Sequence, residues 1–359
     1  MNKIFTLTLA LAALCCPTLS AKQRTETQLQ KLALQKLGLS ATTVKGKYST
    51  KSATKVSLTK HLAEKQLSVY GAEGNGFVVL SNDDHFPAVL GYSSDEFDQA
   101  NLPCGLQWWI GAMESSLETL AESGADVSTI PSYAPSTTIG PLLKTTWSQD
   151  EPFNRQCPQY MNNKDSLCLT GCIATALSQI LYHHKWPAQA TGSGSYTYSY
   201  TADGETASKS MNGTRTFGTQ YDWSNMLTTY VKEDAAKGTT KNYNDTQANA
   251  VAALMADVGA AINMRYSKSS SAAPVVVAPS VLARNFGYDS LSVAYVMRDY
   301  YTDDEWGNII KEELNANRPI NFNALNTKNP NYDGVGNHGV DGHSFVVDGM
   351  NTEGLLHVN

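Results

Sequence analysis

The stretch Leu169-Thr-Gly-Cys-Ile-Ala-Thr-Ala-Leu-Ser-Gln-Ile-Leu-Tyr-His-His-Lys-Trp-Pro187 decides how the chain is read. Its apolar residues Ile173, Ala176, Leu177, Ile180 and Leu181 recur at helical spacing, so Ile173 to His184 forms an amphipathic helix that lays one stripe on a core. Cys172 falls in the first turn, behind Gly171. A helix N-terminus offers unpaired N–H groups and positive potential, which favour a thiolate and lower a cysteine pKa. Gly171 lets the backbone approach a substrate closely. A lone cysteine is by default a small core residue, so Cys172 needs partners before it means chemistry.

A nucleophilic cysteine needs a base, and the base needs an orienting group. Gly342-His-Ser344 opens the strand Phe345-Val-Val347 after a loop rich in glycine (Gly334, Gly336, Gly339), and a histidine there can project into a cleft. Asn359 follows His343 by 16 residues, after the turn Asp348 to Gly354 and the strand Leu355-Leu-His-Val358. A hairpin would return Asn359 beside His343 across the strand pair, its amide carbonyl accepting the imidazole N–H. The backbone N–H of Cys172 and the side chain of Gln149, within Trp147-Ser-Gln-Asp-Glu-Pro-Phe-Asn154, are candidate oxyanion donors. His183 and His184 lie three helical turns from Cys172, roughly 16 Å at 1.5 Å per residue, which is too far for a base; they suit the helix C-terminus. Taken singly, His343 could be a structural histidine, Asn359 a solvated end residue and Gln149 a surface residue.

Around this constellation the composition narrows the options. With 359 residues, 42% hydrophobic and 17% charged, the chain is an ordered globular protein of two or three domains. A net charge of −6 with no basic run excludes an electrostatic footprint for nucleic acid. Beyond the N-terminus, no apolar stretch reaches the roughly 20 residues of a membrane span. Lys3, the apolar run Ile4 to Cys16 and the small residues of Pro17-Thr-Leu-Ser-Ala21 read as an export signal cleaved after Ala21, hence a secreted protein, with cell-surface association as a further option. Leu14 stands where a lipoprotein signal would place a small residue, which argues against a lipid anchor at Cys15 or Cys16. Cys104, Cys157, Cys168 and Cys172 then remain, too few for a disulfide scaffold. A Cys157–Cys168 disulfide and two free thiols are both compatible with the sequence. A zinc site from Cys157, Cys168, Cys172 and His183 would lack the usual C-x-x-C pair.

Residues 22–138 read as a small α+β unit. Thr25-Glu-Thr-Gln28 is a capping box opening a helix with Leu29, Leu32, Ala33 and Leu37 on one face, stopped at Gly38. Leu67 to Tyr70, Phe77 to Leu80 and Ala88 to Tyr92 are strands, the first two joined through Gly74-Asn-Gly76. Leu106, Trp109, Ile110, Met113, Leu117 and Leu120 mark one face of a second helix, and Pro131 to Thr138 is a turn-rich linker. Residues 41–62 show no strong period. In residues 139–359, Gly192 to Tyr200 reads as a loop or edge strand. Thr246 to Ala261 is a helix with Val251, Leu254, Met255 and Val258 inward, and Trp306, Ile309, Ile310 and Leu314 belong to another. Helices precede strands, which points to α+β with segregated parts.

Leu169 to Pro187 closely resembles the nucleophile segment of the streptopain family of papain-like cysteine peptidases. Gly342-His-Ser-Phe-Val-Val-Asp-Gly349 resembles its histidine segment, and His357-Val-Asn359 the start of its asparagine segment. Shorter likenesses at Tyr221 to Leu227, Gly259 to Tyr266, Asn285 to Tyr288, Glu312 to Leu314 and Arg318 to Ile320 link them, and Gly76 to Ser81 with Val89 to Tyr92 resemble the family propeptide. The resemblance implies a secreted zymogen: a signal peptide at 1–21, an inhibitory α+β propeptide at 22–138 and a two-lobed papain-like domain at 139–359. It implies a cysteine endopeptidase with Cys172 as nucleophile, His343 as general base and acid, Asn359 as orienting residue and Gln149 as oxyanion donor. Gly342 and either Ser271 or Ala272, in Tyr266-Ser-Lys-Ser-Ser-Ser-Ala272, would contact substrate. No cofactor or metal is implied; the partners are peptide or protein substrates and the chain's own propeptide as an intramolecular inhibitor, removed by cleavage between about residues 125 and 140. In the family a Trp and a Gly-rich loop follow the asparagine, so the resemblance further implies that this chain, stopping at Asn359, is truncated in its second lobe. The competing reading is a non-catalytic binding module on a relic of the same fold.

Overall fold

The structure, a computed structural model, describes residues 22–39, 57–124, 131–236, 238–325 and 342–359. The expected export signal and the loop bearing Gly334, Gly336 and Gly339 lie outside the described residues. The chain divides into two compact units, one of residues 1–100 and 116–129, the other of 101–115 and 130–359. In space, residues 101–115 and 131–138 cluster with the second unit.

In the first unit, helix α1 (Glu26–Lys36) starts at the expected capping box: Thr25 accepts from the Gln28 N–H while the Gln28 side chain accepts from the Thr25 N–H. Strands β1 (Leu58–Ala63), β2 (Leu67–Ala72), β3 (Phe77–Ser81) and β4 (Val89–Ser93) form an antiparallel sheet in sequence order. Leu29 and Ala33 of α1 pack on Tyr70, Val78 and Leu80. The β2–β3 turn contains Gly76 at φ +77°, where a Cβ would collide with the Ser93 carbonyl, so no other residue fits. β1 falls in the stretch without period. It follows β2 through antiparallel pairing interrupted between Lys60 and Leu62, so tertiary pairing rather than local pattern makes it a strand.

Helix α2 (Cys104–Ser123) spans both units, and its residues up to Ser115 belong to the second. The second unit continues with α3 (Cys172–His184), β5 (Ser193–Tyr200), β6 (Lys209–Thr216), α4 (Asp245–Ala261), β7 (Arg265–Tyr266), α5 (Ala278–Phe286), α6 (Asp303–Asn315), β8 (Ile320–Leu325), β9 (Gly342–Met350) and β10 (Leu356–Val358). The principal core gathers Ile173, Leu177 and Leu181 of α3 with Val251, Leu254, Met255 and Val258 of α4, around Trp147, Phe153 and Phe286. Strand order there is β6-β5-β7, so the segment expected as a loop or edge strand is the central one. Its whole length pairs with β6, from Ser193 opposite Thr216 to Tyr200 opposite Lys209. A second layer, β10-β9-β8, packs on α6 through Val347, Met350, Ile310 and Leu314. The layers meet where Ala176 and Ile180, on another face of α3, touch Val346 of β9 and Leu143. Helix α3 is therefore shared by two cores, and its first residue lies beside the start of β9.

Asp257 of α4 is buried and charge-paired: Arg215 donates Nε–H to Oδ1, and the Tyr221 hydroxyl donates to Oδ2 at 2.9 Å. Removing one member of a buried pair leaves the other without compensation. Asp257→Ala is therefore expected to destabilise this unit by about 3 kcal/mol, read as a lower urea midpoint; an unchanged midpoint would remove the pair from the account of its stability.

Candidate active site

Cys172 is the first residue of α3, and the N-cap Gly171 holds φ +90°. A Cβ on Gly171 would lie 2.6 Å from the Met264 methyl and 3.2 Å from the Ser271 carbonyl oxygen, so glycine is required by both angle and space. The Cys172 sulfur is half-buried. Burial raises its pKa, while the backbone N–H groups of Ser344, Ile173 and Cys172 itself stabilise the thiolate; a thiolate at Cys104 opposes it further. The sequence predicts a depressed thiol from the helix terminus alone. The net direction is instead upward, because desolvation outweighs those three donors.

β9 packs on α3 through Val346 against Ala176 and Ile180, which sets the start of β9 on the side of α3. His343, the second residue of β9, pairs with Ala324 of β8. Its ring packs on Trp108 (centroids 5.8 Å apart, planes at 35°) and 6.4 Å from Phe345, at the end of an aromatic row continuing through Phe322 and Trp306. Gly105 lies against the same imidazole: a Cβ there would be 2.9 Å from His343 Nε2. The neighbouring Cys104 is exposed and accepts a long hydrogen bond from Gln149 Nε2, 3.7 Å from its sulfur. The Gln149 backbone is tied to the nucleophile segment through Thr170, whose N–H donates to its carbonyl at 3.0 Å.

Asn359 does not lie opposite His343. The β9–β10 register shifts between His357 and Val358, and Asn359 exchanges both backbone hydrogen bonds with Val346, at 2.8 and 2.9 Å. Its side-chain amide donates to the Thr145 carbonyl at 2.5 Å. Asp348, fully buried, fixes this hairpin: one oxygen meets His357 Nδ1 at 2.5 Å, raising the His357 pKa, and the other accepts the Leu143 N–H at 2.7 Å.

Gly342 opens β9 opposite Leu325. The Ser271 hydroxyl is committed internally, donating to the Leu169 carbonyl at 2.7 Å and accepting the Ser267 N–H at 3.0 Å. It thereby moors the 267–271 loop beside Gly171, and the exposed Ala272, bonded to Arg265, forms the open rim. Cys157 and Cys168 are buried free thiols, and desolvation raises both, Cys168 to about 11. Among the described residues, neither joins Cys172 and His183 in a metal-sized cluster. The sequence reading missed Cys104, Gly105 and Trp108. The available signal was Trp108-Trp109: two adjacent tryptophans cannot both lie on one apolar helix stripe.

Residues 147–359 match the Peptidase C10 family and residues 21–117 match the Spi protease inhibitor family. The chain belongs to the peptidase C10 family. It is 28% identical to the thiol protease/hemagglutinin PrtT of Porphyromonas gingivalis across 100% of this chain, which spans 40% of that protein. It is 31% identical to streptopain of Streptococcus pyogenes over 85% of this chain and 73% of streptopain. Among solved structures, Prevotella intermedia prointerpain A superposes with TM-score 0.68 and 29% identity, covering 85% of this chain and 88% of that one. Interpain A of the same organism gives 0.50 and 32% over 65% and 85%. Residues 147–359 thus have the papain-like C10 fold, and residues 21–117 correspond to a prodomain of the Spi inhibitor type.

Proposed function

We propose that this C10 chain is an exported precursor of a cysteine endopeptidase, with Cys172 and His343 as its catalytic pair. The observation that carries the reading is the packing of α3 on β9, Ala176 and Ile180 against Val346, which sets the helix that Cys172 opens beside the strand that carries His343 at its start. A turn of the His343 ring off Trp108 brings an imidazole to the Cys172 sulfur. His343 then takes the thiol proton and the thiolate attacks the peptide carbonyl carbon. The oxyanion forms against the Cys172 N–H and the Gln149 amide. The protonated His343 gives its proton to the leaving amine, and the resulting acyl-enzyme is released by a water that His343 deprotonates. Asn359 acts from the adjoining strand by holding β9 in place and, once the ring has turned, by orienting it.

The chain's latency follows from the first turns of α2. Trp108 and Gly105 hold the His343 ring, and Cys104 takes the Gln149 donor. Cleavage that frees this segment releases both groups, which is the sense in which the propeptide inhibits its own enzyme. The apolar run Ile4 to Cys16 behind Lys3 supports export. Incubated alone and then with a denatured protein, the chain is expected to cut itself and afterwards the substrate. Both activities should stop with iodoacetamide and continue with a metal chelator. Hydrolysis that resists the alkylating agent and yields to the chelator would sink the proposal.

A further inference from the structure

Cys104 opens α2, is exposed, and has its sulfur 3.7 Å from the Gln149 amide nitrogen. Its neighbour Gly105 lies against His343 Nε2, and Trp108 stacks on the same ring. His343 lies at the start of β9, the strand that packs on α3 through Val346. The Gln149 carbonyl in turn accepts the N–H of Thr170, two residues before Cys172, so the first turns of α2 and α3 converge on one region, each bearing a thiol. As the first residue of α2, Cys104 has an N–H with no partner inside the helix, and its side chain is exposed. Among the described residues, the remaining two thiols, Cys157 and Cys168, are buried and poor nucleophiles.

We propose that Cys104 and Cys172 form a redox latch: in an oxidising medium they close to a disulfide that caps the nucleophile, and a thiol reductant reopens it. The oxidant is a low-molecular-weight disulfide. The Cys104 thiolate attacks one of its sulfurs, forming a mixed disulfide and expelling one small thiolate. The Cys172 thiolate then attacks the Cys104 sulfur, forming the Cys104–Cys172 bond and expelling the second. Two electrons pass from the protein to the small disulfide, and the two thiol protons end on the two small thiols. The latch itself is independent of the peptidase reading; its consequence, an oxidatively silenced precursor, rests on that reading.

The test treats the full chain with oxidised glutathione, alkylates remaining thiols and maps the peptides without reduction. The expected result is a peptide pair joined through Cys104 and Cys172, with Cys172 protected from alkylation. The link should disappear with dithiothreitol, be absent from Cys104→Ser, and coincide with loss of self-cleavage that reductant restores. Glutathione on Cys104 with Cys172 still open to alkylation would overturn the latch, as would a cross-link confined to Cys157 and Cys168. Because the mapping requires no turnover, a chain that carries the link reversibly but, once reduced, never cuts would count against the peptidase reading alone.

Discussion

Cys172→Ala is expected to lower hydrolysis by about 10⁶-fold, the scale seen when a covalent nucleophile is removed, and to abolish self-cleavage, while leaving the unfolding midpoint nearly unchanged. The activity loss follows because, among the described residues, no other thiol is placed to replace Cys172 once residues 101–115 have left the site. Cys157 and Cys168 are buried in the core of the helical layer, and Cys104 sits on the segment that must leave. The small effect on stability follows because Cys172 is only half-buried at a helix end, where alanine keeps the backbone N–H groups that cap the site. Replacement removes one sulfur and creates no strained glycine angle. Hydrolysis retained after this change would take Cys172 out of its role, and a collapsed midpoint would mean that the sulfur is structural.

His343→Ala is expected to cost activity on the same scale, and the double variant with Cys172→Ala should be no slower than either single one. In the proposed mechanism nucleophile and base act as a unit, so their losses would not multiply. The His343 change should have a second effect that the Cys172 change lacks. In the precursor the imidazole lies between Trp108 and the row of Phe345, Phe322 and Trp306. Removing it takes away the main aromatic contact holding the first turns of α2 there. Limited proteolysis by an added protease should therefore cut residues 101–115 faster in His343→Ala than in Cys172→Ala. Equal cutting would mean that Trp108 is held by something other than His343.

Local physics made most of the helical framework legible. Thr25 with Gln28 gave the start of α1, and the spacing of Val251, Leu254, Met255 and Val258 gave the buried face of α4. Elements whose order comes from partners were harder to read. β6 is polar and mostly exposed, and it is a strand because β5 pairs with all of it; its Gly213 leaves room for the Tyr196 ring across the pair. α5 begins within Pro274-Val-Val-Val-Ala-Pro279, which reads locally as a turn and a strand. At the site, sequence order pointed to Cys172 and His343 because each opens an element after a glycine. The register shift before Val358, which sets Asn359 opposite Val346, depends on the buried Asp348 and has no local signature. The thiol pKa direction was likewise out of reach, since desolvation depends on what packs over the sulfur. Trp108 escaped because the helical stripe running through Trp109 is the one that looks like a core face.

The most direct measurement is the rate at which iodoacetamide alkylates Cys172 as a function of pH, in the precursor and in the self-cleaved form, with the labelled peptide identified. In the precursor, burial holds the thiol above its ordinary pKa, so labelling should be slow and rise only on the alkaline side. After cleavage, with His343 free to pair with the sulfur, the same residue should label rapidly already at about pH 6, as an ion-paired thiolate does, and His343→Ala should return it to the alkaline profile. A cleaved form whose Cys172 still reacts only at alkaline pH, like an isolated buried thiol, would contradict the account.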